Sequence, residues 1–152
     1  MDRAQLSRQL AQLHPTLSAL NEPYCIIGSA ALLLSGVAIG ECDDIDILTT
    51  SLGAAHLQRE WSTWLHSQHH AQGHDGFRSA YSLYRFGLGT VEVMGDLQVQ
   101  RDGIWQAVTV HDTQQIEGIV LATIQEQRRL LTWFGRKKDL ARLTLLQQAT
   151  EH

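Results

Sequence analysis

The run Asp44-Ile45-Asp46-Ile47-Leu48-Thr49 constrains this chain more than any other stretch. Isoleucine and threonine favour a strand, and in a strand alternate side chains point to opposite faces. Ile45 and Ile47 therefore go together into a core, while Asp44 and Asp46 share the other face. Asp43 falls on the opposite side or in the preceding turn and is expected to be an outer residue. Carboxylates this close repel, and burying one unpaired is costly. A hard divalent cation such as Mg²⁺ (or Mn²⁺) converts the repulsion into chelation. The plainer reading is a solvated turn that leads into a strand and leaves the acids exposed.

The flanking sequence supplies elements to hold such a strand. Leu6, Leu10, Leu13, Leu17 and Leu20 recur at steps of four and three, one stripe of an amphipathic helix. Pro15 lies inside that stripe and is expected to kink or split the helix near His14. "EPYCIIG" reads as a short buried strand ended by Gly28, and "SAALLLSG" as a helix that stops at Gly36. After the acidic strand, Ser51 is placed to cap a helix that brings Leu57, Trp61, Trp64 and Leu65 to one face. "HSQHHAQGHDG" is polar, carries glycines and reads as loop. "FRSAYSLYRF", "TVEVMG" and "IWQAVTV" are strand candidates separated by Gly or Asp-Gly turns. From Thr123 to Ala149 the pattern is helical, punctuated by Gly135. The order predicts an α/β (α+β) fold, a small mixed sheet backed by helices on one face, with a C-terminal helical tail.

Further residues extend the acidic motif. In "TVEVMG", Val91 and Val93 take one face and Glu92 the other, so a strand beside Asp44–Thr49 would complete an acidic triad, with Asp96 the substitute candidate. Three carboxylates can hold two metal ions, one at an attacking oxygen and one at a nucleotide's phosphates. Gly28–Ser29 sits where a strand turns into a helix, and its free N–H groups and hydroxyl suit a phosphate. The plainer reading makes Gly28 a steric requirement and Ser29 an N-cap. His66, His69, His70 and His74 invite a zinc reading, but Gly73, Gly76 and the lack of a neighbouring cysteine favour a solvated loop. In the basic tail, Lys138 is the candidate to reach a triphosphate, while Arg128, Arg129, Arg136 and Lys137 suit a solvated face or a pair with Asp139. The four tryptophans suit core or interface, with Trp133-Phe134 alternatively placed to flank a base.

Composition narrows the class. With 152 residues, 43% hydrophobic and 18% charged, the chain reads as one globular domain over 1–152. A net charge of −4 gives no global pull toward nucleic acid or a membrane surface. Cys25 and Cys42 are too few for a disulfide scaffold and lack zinc spacing, which fits a reducing, cytoplasmic setting. The N-terminal "MDRAQLSRQL" lacks a signal peptide's apolar core, and no apolar run approaches membrane-spanning length.

"IIGSAALLLSGVAIGECDDIDIL" resembles the signature of the nucleotidyltransferase superfamily, whose fold is that of DNA polymerase β. The motif is a hydrophobic residue, Gly, Gly or Ser, a helical spacer, then Asp-hydrophobic-Asp-hydrophobic. Here those are Ile27, Gly28, Ser29, then Asp44-Ile45-Asp46-Ile47, with Glu92 matching the family's third acid. The tail "LATIQEQRRLLTWFGRKKDLARLTLL" is similar to that of small bacterial members related to abortive-infection toxins, through Gly135, Arg136, Lys138 and Asp139. Gly40 and Cys42 stand where the family more often has Arg and Thr. The middle region has no match.

The resemblance implies a metal-dependent transfer of a nucleoside monophosphate from an NTP to an acceptor hydroxyl, with release of pyrophosphate. Asp44, Asp46 and Glu92 would be the metal and catalytic acids, and Gly28, Ser29 and Lys138 would bind the triphosphate. A competing reading is a catalytically inactive binding or regulatory protein, a toxin–antitoxin-like partner. A third is a two-metal nuclease, against which the Gly-Ser turn argues. A chain this short leaves acceptor binding to a homodimer or to a small helical partner protein.

Overall fold

The computed structural model describes residues 1–70 and 76–150. A single mixed sheet runs through it in the order β3-β4-β5-β2-β1-β8-β7, with β6 added to β5. At its centre lie β1 (Tyr24–Ile27), β2 (Asp44–Thr49) and β5 (Thr90–Arg101). β2 is antiparallel to β1 and parallel to β5. β3 (Leu65–His70), β4 (Phe77–Arg85) and β6 (Ile104–Ala107) extend one side. β7 (Thr113–Ile116) and β8 (Ile119–Ala122) form a hairpin on the other, with β8 parallel to β1. No helix among the described residues is long and apolar enough to cross a membrane.

Helices back both faces of the sheet rather than one. α1 (Arg3–Ser18), α2 (Gly28–Leu34) and α3 (Ser51–Glu60) share a core with Ile26, Ile45, Ile47, Val91 and Val93. On the opposite face, α4 (Ile124–Phe134) sets Leu130 and Phe134 against Cys25, Ile27, Leu48, Leu97 and Val99. α5 (Lys137–Thr150) follows α4, and its Leu146 packs with Leu32 and Val37. The sheet alternation explains the split, since β1 sends Ile26 one way and Cys25 and Ile27 the other.

A bulge in β5 keeps the second face apolar. The β4–β5 register shifts between Arg78 and Ala80, opposite Gln98 and Gly95, so β5 holds an extra residue there. Asp96 occupies the kink with a φ of 50°. The extra residue flips the parity. Leu97 and Val99 thereby join the face of Glu92 and Met94, where a regular strand would have turned them away.

Several local expectations change. Pro15 neither splits nor ends α1, which is continuous across it. Leu6, Leu10, Leu13 and Leu17 are all buried, so packing on both sides of the proline outweighs the one hydrogen bond it removes. Thr50, not Ser51, caps α3, accepting from the Gly53 N–H at 3.0 Å. That helix stops before Trp64, which lies in a 3-10 turn (Ser62–Trp64), and Leu65 begins a strand. The histidine-rich segment is strand β3 through His70, paired with β4, because an edge strand needs only one partner and tolerates polar side chains. His74 lies outside the described residues. β6 is shorter than "IWQAVTV" suggests, and β7 and β8 form a hairpin where the sequence pattern marks no strand.

Candidate active site

The acids meet because β2 and β5 are neighbours in parallel register, Asp44 beside Thr90 and Asp46 beside Glu92. Parity puts Asp44, Asp46 and Glu92 on the α4 face, as alternation in β2 requires. Antiparallel pairing then sets Ile27 beside Asp46, and Gly28 follows at once. Gly28 has a φ of 78°, and a Cβ built on it would stand 2.9 Å from Asp46 Oδ2. Glycine is therefore required twice, by backbone conformation and by the approach of the carboxylate.

Each acid has a different environment. Asp44 Oδ1 accepts from the Thr90 hydroxyl. The Tyr81 phenol donates to Glu92 Oε1 at 2.8 Å. Asp46 Oδ1 is sealed from solvent without a hydrogen-bond donor. Burial pushes the Asp46 carboxyl well above the usual carboxylate range, helped by the charge of Glu92, a hydrogen bond with Glu92 and the charge of Asp44, while Lys138 opposes. Burial and the bond to Glu92 likewise raise the Tyr81 phenol.

The three acids line a cavity of about 310 Å³. Gly28, Ser29 and the acids form one side of it. α4 contributes Gln127, Leu130, Leu131 and Phe134, one helical face at steps of three, one and three. Lys138, Arg142 and the Arg136–Asp139 ion pair close the α5 side. A second cavity of about 290 Å³ shares Ile27, Asp46, Glu92, Phe134, Arg136 and Lys138 and continues toward Phe77, Tyr81 and Met94. The acid pair thus stands between two openings, one more charged and one more aromatic.

The structure brings together Gly28, Ser29, Asp44, Asp46, Glu92 and Lys138 around the first cavity. Asp43 is exposed at its rim. Asp96 is elsewhere, holding the Ser51 backbone N–H at the start of α3 at 3.1 Å. Arg136 is held by Asp139 and lies over the Phe77 ring at 4.4 Å. Arg129 pairs with Glu126. Gln127, Tyr81 and Arg142 were missed by sequence reasoning. Gln and Tyr on amphipathic elements carry no signal of their own, and Arg142 continues the helical repeat from Lys138 at i+4.

The donor set suits a hard divalent cation. Among the described residues no three His, Cys, Asp or Glu side chains are gathered into a ready-made cage. Asp44 is turned to Thr90, and Asp46 to Glu92. Yet two neighbouring carboxyls and one sealed, undonated oxygen leave a site that gains from a positive centre. The ion pairs of the described residues, Arg3–Glu117, Arg129–Glu126 and Arg136–Asp139, leave all three acids out.

No protein-family model matches the chain, and no curated protein matches it in sequence. Solved structures do match in shape. A Thermotoga maritima protein provisionally classed as a nucleotidyltransferase has a TM-score of 0.79 at 22% identity, over 100% of this chain and 97% of that one. The lincosamide antibiotic adenylyltransferase LnuA, solved with lincomycin bound, gives 0.60 at 12% identity, over 93% and 96% of the two chains. The antibiotic-resistance factor ANT(2'')-Ia gives 0.58 at 13% identity, over 99% and 86%. At these identities the likeness speaks to the fold alone.

Proposed function

Because the chain has the nucleotidyltransferase fold, we propose that it transfers a nucleoside monophosphate from an NTP to an acceptor hydroxyl. The observation that carries this reading is the pairing of Asp46 with Glu92 on adjacent parallel strands, beside Gly28 and on the wall of a cavity that also holds Lys138. Asp44, Asp46 and Glu92 would hold Mg²⁺ or Mn²⁺. Such an ion, when bound, neutralises the charge of the phosphates and lowers the pKa of a ligated hydroxyl. Ser29 and Lys138 hold the triphosphate tail, with Arg142 further along the same wall.

Glu92 takes the proton of the acceptor hydroxyl as its oxygen bonds to the α-phosphorus. The bridging α–β P–O bond breaks in the same displacement, and pyrophosphate leaves with that electron pair. Tyr81 holds Glu92 through its 2.8 Å hydrogen bond and so fixes the direction of proton transfer. Among the described residues no Arg or Lys forms an ion pair with the acids, which counts against an inactive regulatory protein.

The test is Mg²⁺-dependent transfer of label from α-labelled nucleoside triphosphates. Acceptors to screen include aminoglycoside and lincosamide antibiotics, because related folds are solved with adenylyl-2''-tobramycin and lincomycin, together with protein side chains and tRNA ends. Asp44→Asn and Asp46→Asn are each expected to lower transfer by roughly a hundredfold or more. Asp46→Asn puts a neutral side chain of the same shape where burial disfavours the carboxylate, and is expected to keep the melting temperature, so lost transfer is not lost fold. A wild-type protein that binds neither Mg²⁺ nor any triphosphate by calorimetry would exclude this function.

A further inference from the structure

One buried polar group on the cavity wall has no part in the transfer chemistry. Gln127, near the start of α4, is 2% exposed. Its Oε1 accepts from the Gly28 backbone N–H at 3.2 Å. That bond fixes which way the carboxamide lies, because turning it over would set two N–H groups face to face. Nε2 is therefore a donor directed away from Gly28, and it is sealed without a partner in the protein. A buried N–H with no acceptor loses its hydration without replacement and destabilises the fold. Native proteins keep few of these, and each calls for an explanation.

The other side of the same glycine has the opposite defect. Asp46 Oδ2 lies within 2.9 Å of a Cβ built on Gly28, and Asp46 Oδ1 is buried without a donor. A stranded donor and a stranded acceptor thus flank one residue on one cavity wall, and they do not satisfy each other. A ligand that satisfies both carries a positive centre and a hydrogen-bond acceptor close together. A cation-bound phosphate is such a group, and a neutral apolar ligand is not.

We propose that Gln127 is a substrate-binding residue whose Nε2–H donates to a phosphate oxygen of the nucleoside triphosphate. This rests on the nucleotide reading of the same site. Gln127 then does two things at once: its oxygen secures Gly28 beside Asp46, and its nitrogen holds the phosphate beside the cation. The bare fold of β1, β2 and α2 does not supply this donor. It comes from α4, across the sheet from those helices that pack on the other face.

Calorimetry of Mg-ATP and of Mg-tripolyphosphate with wild type, Gln127→Glu and Gln127→Met separates the possibilities. Gln127→Glu keeps an oxygen for the Gly28 N–H and loses the donor, while Gln127→Met loses both. Gln127→Met is expected to weaken both ligands about tenfold, and Gln127→Glu more, since a carboxylate there repels phosphate. Equal losses for the two ligands support a phosphate contact, and a loss confined to ATP would overturn it. Unchanged affinities in folded variants would remove Gln127 from the site and leave the nucleotide reading standing. A wild-type protein that binds neither ligand would overturn both. If the variants do not fold, wild-type protein labelled with ¹⁵N-glutamine decides: the Gln127 side-chain amide should move downfield with either ligand, and an unmoved resonance refutes the contact.

Discussion

At the scale of single residues, Gly28 is where fold and chemistry press hardest on one another. Its φ of 78° and the 2.9 Å approach of Asp46 Oδ2 leave no room for a side chain. Gly28→Ala is expected to destabilise the protein by about 1–3 kcal/mol, through backbone strain and a displaced carboxylate. Urea unfolding measures the first effect, and loss of Mg²⁺ binding by calorimetry the second. A variant with unchanged stability and metal binding would show that the carboxylate has space to retreat. Gly40 is a contrasting case: its φ is 83° with nothing within 4 Å, so turn geometry alone accounts for glycine where the family more often has Arg. Cys42, in the other departing position, is buried on the cavity wall, and burial pushes its thiol up, which makes it an apolar filler rather than a nucleophile.

At the scale of elements, α4 is set by a polar network at its first turn. Thr123 caps it, accepting from the Glu126 N–H at 3.2 Å. Glu126 is 3% exposed and takes hydrogen bonds from Arg129 and from the backbone N–H groups of His111 and Asp112. Burial alone would raise its carboxyl, but these donors outweigh burial and hold it below its ordinary value of 4.5. A depressed folded pKa means that the contribution is fully present above the unfolded value and is lost as pH falls through the folded one. Glu126→Gln is thus expected to cost about 2 kcal/mol at pH 7, and the deficit should shrink as pH drops below about 4.5. Urea titrations from pH 7 to 3 check this, and a deficit independent of pH would place the effect in packing instead. The next residue is Gln127, so a loosened first turn should also weaken the ligand. Thr123-x-x-Glu126 is a helix-start signature that the sequence displays, yet the glutamate turns to the 111–112 loop instead of the cap. By contrast, the Asp44–Ile47 alternation, Gly28 and Glu92 were readable, because a strand's period and a glycine's conformational range are local properties. The meeting of Glu92 with Asp46, the parity flip at Asp96 and the donor from Gln127 depend on which strands and helices become neighbours. No window of sequence contains that choice.

At the scale of the whole molecule, the site joins parts of unequal stability. β2 and β5 run through the centre of the sheet, and Ile45, Ile47, Val91 and Val93 are fully buried. α5 is attached more lightly, with Leu146 buried while Leu140 and Leu145 are 52% and 53% exposed. Arg101 caps the end of α4 through the carbonyls of Trp133 and Phe134, and the Arg136–Asp139 pair starts α5 from there. Lys138 and Arg142 therefore reach the cavity from a lightly attached helix, while the acids stand on central strands. Segments that open locally do so at a free energy below that of global unfolding. Ligand that binds only the closed form raises that local cost by RT ln(1 + [L]/Kd), about 2.7 kcal/mol at a hundred times Kd. Amide exchange in β2 and β5 is accordingly expected to be slowest without ligand and, because global unfolding also releases the ligand, to slow further under Mg-ATP by the same factor. Exchange in α5 should slow by up to about a hundredfold under near-saturating Mg-ATP, because its opening breaks the Lys138 and Arg142 contacts. Protection confined to the central strands would mean that the nucleotide sits on the acids alone, with α5 a bystander to binding.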